Sequence, residues 1–457
     1  MNNIVLDTDS YKFSHWLQYP PGTTGMFSYL ESRGGRYANT VFFGLQMLLK
    51  KYLCRAVTAE EVFEAEAFAK MHGLPFNSAG WDRIVQLGYF PIRIRAVPEG
   101  TVVPVSNALM TCESTDPDTF WIVSYLETLL MRIWYPITVC TQSWHIRQLI
   151  YDYLKRTSDT PDQDILFKLH DFGSRGVSSQ ESAEHGGAAH LVNFMGSDTV
   201  AGVWAANHYY HSPMAGFSIP AMEHSSVTSW GRDGEVLAFG NMLEHFAKPG
   251  KLVACVSDSY DIYHAVSQIW GEALRQRVID SGATVVIRPD SGHPPKVVLD
   301  VLTILDEKFG STRTAQGNYK VLQHVRVIQG DGINEDMIRE ILETITRAGF
   351  SAANVAFGMG GALLQQVNRD TQRFAYKCSS VTINEVDIDV SKSPATDPGK
   401  NSKAGRLDLN MKNGQYETVR ASEAYNSKLQ TVFHDGQLLV DENLDTIRAR
   451  AQEGNPS

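Results

Sequence analysis

The chain has 457 residues, with 41 Lys+Arg against 51 Asp+Glu and a formal net charge of −10. That length exceeds what one hydrophobic core usually organises, so two domains are expected. An acidic total lacks the broad basic footprint of a nucleic-acid binder, and no nucleic-acid partner is expected. A small anion held by a few local Arg and Lys side chains remains compatible with it.

In chain order, the first residues, Met1-Asn2-Asn3-Ile4-Val5-Leu6-Asp7, carry neither a basic region nor a long apolar stretch and do not read as a signal peptide. Residues 91–97 alternate as a strand. The most apolar window, residues 120–140, is interrupted by Glu127 and Arg132 and reads as a core helix rather than a membrane span. No membrane partner and a cytoplasmic location are expected. Five widely spaced cysteines without CxxC or Cys/His spacing (Cys54, Cys112, Cys140, Cys255, Cys378) read as reduced thiols.

From about residue 165 one unit recurs: a short apolar run, a polar tip carrying Gly or Asp, then a helical pattern. Residues 252–256, 284–287, 325–328 and 354–357 are its clearest strands. Residues 167–171 and 216–220 are further candidates, and helices are expected over 297–309 and 336–348. Strands alternating with helices of this length imply parallel βαβ units. The fold class is α/β, and so many polar strand tips favour an irregular α/β barrel. An open doubly wound sheet is the competitor, since it also binds ligands at strand ends. Residues 158–377 are assigned to the barrel, and 1–157 with 378–457 to a discontinuous second α/β domain built from both chain ends.

Glycine tips permit close backbone approach to an anion and expose amides to it. Gly330-Asp331-Gly332 and Gly358-Met359-Gly360-Gly361 stand on consecutive units and could cradle one phosphate, although tight turns without a ligand would look alike. Carboxylates at other tips (Asp258, Asp261, Asp290, Asp331) could hold Mg²⁺ or ribose hydroxyls, or simply cap helices. Arg175 and Arg288 are planar donors suited to phosphate, or partners in structural ion pairs. His224, beside Glu223, is a further tip residue for which a structural role is the plain alternative. Together these groups describe a sugar-phosphate or diphosphate site, and spacing alone goes no further.

Several stretches resemble the nicotinamide phosphoribosyltransferase family, a type II phosphoribosyltransferase group related to the nicotinate enzymes. They are Asp7-Thr8-Asp9-Ser10-Tyr11-Lys12, the run from Lys168 through His170-Asp171-Phe172-Gly173-Ser174-Arg175-Gly176 to Glu181, and Gly196-Ser197-Asp198-Thr199. The match continues in Glu223-His224-Ser225, Ser257-Asp258-Ser259-Tyr260-Asp261, Arg288-Pro289-Asp290-Ser291-Gly292, Gln329-Gly330-Asp331-Gly332, Gly358-Met359-Gly360-Gly361 and Tyr376-Lys377-Cys378. It runs in order over nearly the whole chain.

The resemblance implies transfer of phosphoribose from phosphoribosyl pyrophosphate to nicotinamide, giving nicotinamide mononucleotide and pyrophosphate in NAD salvage. It further implies Mg²⁺, held mainly through substrate phosphates, ATP as co-substrate, and a homodimer with shared active sites. Carried over by position, Phe172 and a second subunit's Tyr11, with Asp9 nearby, would hold the pyridine ring. Arg288 would bind the carboxamide oxygen, and Asp198 its nitrogen while repelling nicotinate. Asp290, Gly330, Asp331, Gly360 and Gly361 would bind the phosphoribose. Arg33, Arg175, Arg369, Lys377, Lys392 and Lys400 would bind pyrophosphate or ATP. His224 resembles the family's phosphorylated histidine, with Asp261 and Glu223 as orienting carboxylates, and the catalytic set is completed by Asp290.

Ser174 and Ala362 depart from the family pattern, where tyrosine and a third glycine are common. The rivals are a nicotinate phosphoribosyltransferase, a non-catalytic nucleotide-binding or signalling dimer, and a sugar-phosphate barrel enzyme such as an aldolase. Asp198 speaks against the first and the intact Asp9, Asp198, His224, Arg288 and Asp290 against the second. Arg288, standing where a Schiff-base lysine would be needed, speaks against the third.

Overall fold

The computed structural model describes residues 3–396 and 401–454. Its chain forms two compact units, Met1–Thr141 with Ala205–Ser212 and Val367–Ser457, and Gln142–Trp204 with Pro213–Gln366.

The first unit is built on a seven-stranded sheet that takes strands from both chain ends. Its order is Val386–Asp389, Phe374–Ile383, Thr23–Ser32, Ala108–Ser114, Ile92–Ala96, Gln430–His434 and Gln437–Leu438. The central strand Thr23–Ser32 pairs antiparallel with both neighbours and is buried over its last seven residues without alternation. Both of its faces are therefore covered. The helix Ala59–Met71 starts on a capping box in which Thr58 and Glu61 satisfy each other's backbone amides. Trp81, on the helix Ser78–Leu87, meets Trp121 and Tyr125 edge-on in the core.

The single core helix expected over 120–140 is instead three pieces, Ile122–Tyr125, Glu127–Met131 and the start of Trp134–Thr157. Pro136 accounts for the last break. It fits in the first turn of a helix, where its missing N–H is not needed, but cannot continue one from upstream.

The second unit holds a curled, all-parallel sheet ordered Gly196–Ser197, Leu169–Asp171, Val355–Met359, Val325–Gln329, Thr284–Arg288 and Leu252–Val256. Its long strands are nearly continuous apolar runs, as strands covered on both faces must be. The helices Pro294–Phe309 and Glu335–Arg347 follow two of them. The second of these buries Ile338, Ile341, Leu342 and Ile345 at helical spacing and is capped by Asn334.

Residues 216–220, expected as a strand, form none. Single parallel bridges join Phe217 to Gly196 on one edge of the sheet and Ala221 to Ala254 on the other. Pro220 accepts from the Ala254 amide but has no N–H to donate, so a continuous ladder cannot form through it. This one segment bridges both edges and makes the sheet an irregular barrel. Inside lie Ala254, Val286 and Ile328, with Phe172, Ile219 and Ala356 packed against them. Among the described residues no helix is long and apolar enough to cross a membrane.

Candidate active site

Two cavities of the second unit share Phe172 and Arg288. One, of about 450 Å³, lies at the strand C-termini and is lined by Arg175, Arg288, Asp290, Gly330, Asp331, Gly360 and Gly361, among others. The other, of about 410 Å³, runs among apolar barrel residues and includes Asp198, Ser218, His170 and Lys168. A polar, glycine-lined chamber thus adjoins an apolar one, with an aromatic ring and a guanidinium at their junction.

The ring is fixed by backbone. Phe172 donates its amide to the Met359 carbonyl at 3.0 Å, so the residue after the strand Leu169–Asp171 is pinned to the neighbouring strand. Asp171 ties the two flanking loops together. Its buried carboxylate accepts from the Gly173 amide at 2.7 Å, and its carbonyl accepts from the Asp198 amide at 2.9 Å. Burial pushes the Asp171 carboxyl up to about 6. Gly358 makes room for the ring: a Cβ there would stand 2.0 Å from Phe172 Cε2.

Asp198 accepts from Ser218 Oγ at 2.5 Å, which fixes one carboxylate oxygen. Arg288 reaches Asp290 through Nη2 at 3.4 Å, while its buried Nε has no hydrogen-bond partner among the described residues. Burial raises the Asp290 carboxyl above its ordinary value, with Arg288 pulling the other way. Asp258 and Asp331 are close enough to add to that rise. The described residues gather no cluster of three or more His, Cys, Asp or Glu side chains fit to cage a metal. Single carboxylates on separate tips suit a hard cation that keeps most of its ligands on a substrate's phosphates.

His224 opens the short helix His224–Thr228, half-exposed, and its Nε2 lies 3.1 Å from Asp258 Oδ1. The side chain of Asp258 is only 4% exposed, so the acceptor is held while the ring stays accessible. In this structure the carboxylate in hydrogen-bond reach of the ring is Asp258, not the expected Asp261 or Glu223. Asp261 spends its carboxylate on the amides of Tyr263 and His264, as N-cap of the helix Ile262–His264, and Glu223 accepts from Ser225 Oγ. Asp258 lies two residues past the strand Leu252–Val256 and within reach of the ring, whereas Asp261 already starts the next helix.

The other assigned residues belong to the first unit. Tyr11 is 56% exposed on the 3₁₀ helix Ser10–Leu17, and its hydroxyl is 3.4 Å from Asp9, which also accepts from Thr128 at 2.9 Å. Arg33, Arg369, Lys377 and Lys392 line a cavity of about 520 Å³ together with Arg373, Glu127 and Asp370. Burial lowers the Lys377 amine, and neighbouring Arg33, Arg369 and Lys392 lower it further, as expected where cations crowd. Lys400 lies outside the described residues. Reading the sequence missed Arg373, Ser218 and Asp258's partnership with His224. Only Arg373, four residues from Arg369, had a local signal.

A model described as the nicotinate phosphoribosyltransferase (NAPRTase) family matches residues 167–437, and one described as the nicotinamide phosphoribosyltransferase N-terminal domain matches residues 3–94. The chain is 57% identical over 461 residues to the nicotinamide phosphoribosyltransferase of Xanthomonas campestris pv. campestris (strain 8004), covering 99% of this chain and 98% of that one. Among solved structures, the nicotinate-nucleotide pyrophosphorylase of Pyrococcus furiosus superposes with a TM-score of 0.61 at 16% identity, covering 99% and 95% of the two chains. Human nicotinic acid phosphoribosyltransferase gives 0.57 at 18% identity, covering 98% and 93%. At those identities the likeness speaks for the fold.

Proposed function

The chain belongs to the nicotinate phosphoribosyltransferase family and is a pentosyltransferase, and we propose that it joins phosphoribose to nicotinamide in NAD salvage. The donor is phosphoribosyl pyrophosphate, and the products are nicotinamide mononucleotide and pyrophosphate. The observation that carries the choice of base is Asp198: a carboxylate fixed by Ser218 lines the same apolar chamber as Phe172 and Arg288. Such a group accepts from a carboxamide nitrogen and repels a carboxylate.

On this reading Phe172 stacks the pyridine ring, and Arg288 donates to the carboxamide oxygen. Asp290 and Asp331 receive ribose hydroxyls, and the amides around Gly330, Gly360 and Gly361 receive the 5′-phosphate. The bond from the anomeric carbon to the pyrophosphate oxygen breaks, the leaving oxygen keeping the electron pair. The ring nitrogen's lone pair then forms the new bond, with no proton transferred. Catalysis is positioning together with charge stabilisation by Arg175 and, from a second copy in a homodimer, by the cations of the first-unit cavity, Arg33, Arg369, Arg373, Lys377 and Lys392. Mg²⁺, held by substrate phosphates with Asp258 and Asp290 within the carboxylate set that fits it, would add charge neutralisation to the leaving group. In a homodimer, a second copy's exposed Tyr11 would cover the other face of the ring.

ATP enters through His224. With Nε2–H donated to Asp258, the lone pair lies on Nδ1. That nitrogen attacks the terminal phosphorus of ATP, ADP leaves, and water later cleaves the phosphohistidine. Incubation with phosphoribosyl pyrophosphate, Mg²⁺ and either base, with and without ATP, tests both parts. Nicotinamide should give mononucleotide far better than nicotinate does, and ATP should raise the yield. His224→Ala should retain basal transfer and lose the ATP effect. No product from nicotinamide under any condition overturns the reading, and undiminished ATP stimulation in His224→Ala removes the phosphohistidine from it.

A further inference from the structure

We propose that Glu31 is a positioning residue for the cation-lined cavity of the first unit. It would touch no substrate but set where the Arg33 guanidinium points. The inference rests on the reading that this cavity takes the pyrophosphate group. Glu31 does not line the cavity, and its side chain is only 3% exposed. Burying a carboxylate there is unfavourable unless its charge is matched and its oxygens are hydrogen-bonded. Both conditions are met. Oε1 accepts from Arg33 Nε at 2.8 Å, and Oε2 accepts from Lys403 Nζ. The Tyr29 hydroxyl, 3.5 Å from Oε1, accepts in turn from the Lys403 amide at 2.9 Å.

Strand geometry explains the first pair. Glu31 and Arg33 are two residues apart at the end of the strand Thr23–Ser32, so their side chains leave on one face. The backbone there is fixed separately. Arg33 donates its amide to the Arg373 carbonyl at 3.2 Å, and Ser32 Oγ donates to the Gln372 carbonyl at 2.6 Å. What remains free in Arg33 is its side chain, and Glu31 takes up the Nε donor. Tyr29 lies against the same guanidinium, so Glu31 and Tyr29 together hold it from the strand side. Nη2 is buried and has no hydrogen-bond partner among the described residues, so a side chain that lines the cavity keeps one unspent donor. A guanidinium held from one side with a donor unspent is oriented for binding an anion. Without Glu31 it would swing among rotamers, and part of its contribution would be lost as ordering entropy.

The experiment measures pyrophosphate affinity by calorimetry, and KM for phosphoribosyl pyrophosphate and for nicotinamide, in wild type, Glu31→Gln, Glu31→Asp, Arg33→Ala and the double variant Glu31→Gln/Arg33→Ala. Glu31→Gln should weaken pyrophosphate binding and raise KM for phosphoribosyl pyrophosphate roughly ten-fold, as expected when a charge-assisted bond is lost. KM for nicotinamide should stay within about two-fold, since that base lies outside this cavity on the reading above. Glu31→Asp, which keeps the charge, should recover part of the loss. The double variant should be no weaker than Arg33→Ala, because Glu31 acts through Arg33. Wild-type pyrophosphate affinity in Glu31→Gln alongside a loss in Arg33→Ala overturns the positioning role, as do additive losses in the double variant. Should Glu31→Gln fail to fold, Glu31→Ala replaces it in both comparisons, wild-type affinity there counting against the proposal. Arg33→Ala binding pyrophosphate like wild type would instead overturn the reading of the cavity, whatever Glu31 does.

Discussion

Asp198 has one oxygen occupied by Ser218 Oγ at 2.5 Å, leaving the other to meet a ligand in the apolar chamber. Asp198 is itself exposed, so its selectivity rests on its being held by Ser218 at the wall of that chamber and on the sign of its charge. A carboxamide answers it with an N–H, while nicotinate brings a second negative charge. Asp198→Asn should therefore lower kcat/KM for nicotinamide by about 10- to 100-fold and raise it for nicotinate, narrowing the preference from both sides. Steady-state kinetics with the two bases check this. An unchanged ratio would place base selection elsewhere. At this scale sequence reading singled out Arg288 as a strand-tip donor and the family resemblance singled out Asp198, and the structure sets both along one cavity. The sequence was not legible where chemistry depends on a partner far along the chain. Asp258 and Asp261 are both acidic, in one loop, three residues apart. Nothing local tells which meets a ring 34 residues upstream and which caps the next helix.

Elements were easier to read than side-chain pairs. The strand Leu252–Val256 appears where the apolar run placed it, because a strand covered on both faces has no alternative to a continuous apolar run. The closing segment 217–221 resisted, since its two bridges depend on both sheet edges and not on its own pattern. The strand Val355–Met359 and the turn after it permit a sharper test, because two of their glycines are required for different reasons. An added Cβ at Gly358 would collide with the Phe172 ring, whereas one at Gly361 meets no protein atom within 4 Å and would project where the polar cavity is lined. Gly358→Ala should displace the ring and raise KM for nicotinamide about five-fold, since an aromatic stack contributes roughly 1 kcal/mol beyond its buried area. Gly361→Ala should spare nicotinamide and weaken phosphoribosyl pyrophosphate instead. Reversed or indistinguishable effects in the two KM values would show that this strand does not divide base from phosphate.

At the scale of the whole molecule, buried ionisable groups tie stability to pH, and their sense can be worked out. Glu99 lies in the core of the first unit, accepting from the amides of Gly44 at 3.0 Å and Gln46 at 2.6 Å. Burial nonetheless pushes its carboxyl from 4.5 up to about 7, and Asp171 in the second unit rises from 3.8 to about 6. A carboxyl raised on folding takes up its proton more readily in the folded state. The stability linked to it is fully present below the unfolded value and is lost as pH climbs through the folded one. For Glu99 the shift corresponds to about 3 kcal/mol, lost between about pH 4.5 and 7. Lys168, lowered from 10.5 to about 8 by burial, has the opposite dependence, but its linked stability is gained only above pH 8. Wild-type resistance to thermal unfolding should therefore decline from pH 5 to pH 8. Glu99→Gln keeps one acceptor for the two amides, so it should be the less stable protein at pH 5, where the wild-type carboxyl is protonated. As pH rises only the wild type must ionise a buried group, so the two Tm values should draw together by pH 8. Parallel Tm curves across that range would show that Glu99 does not titrate with folding.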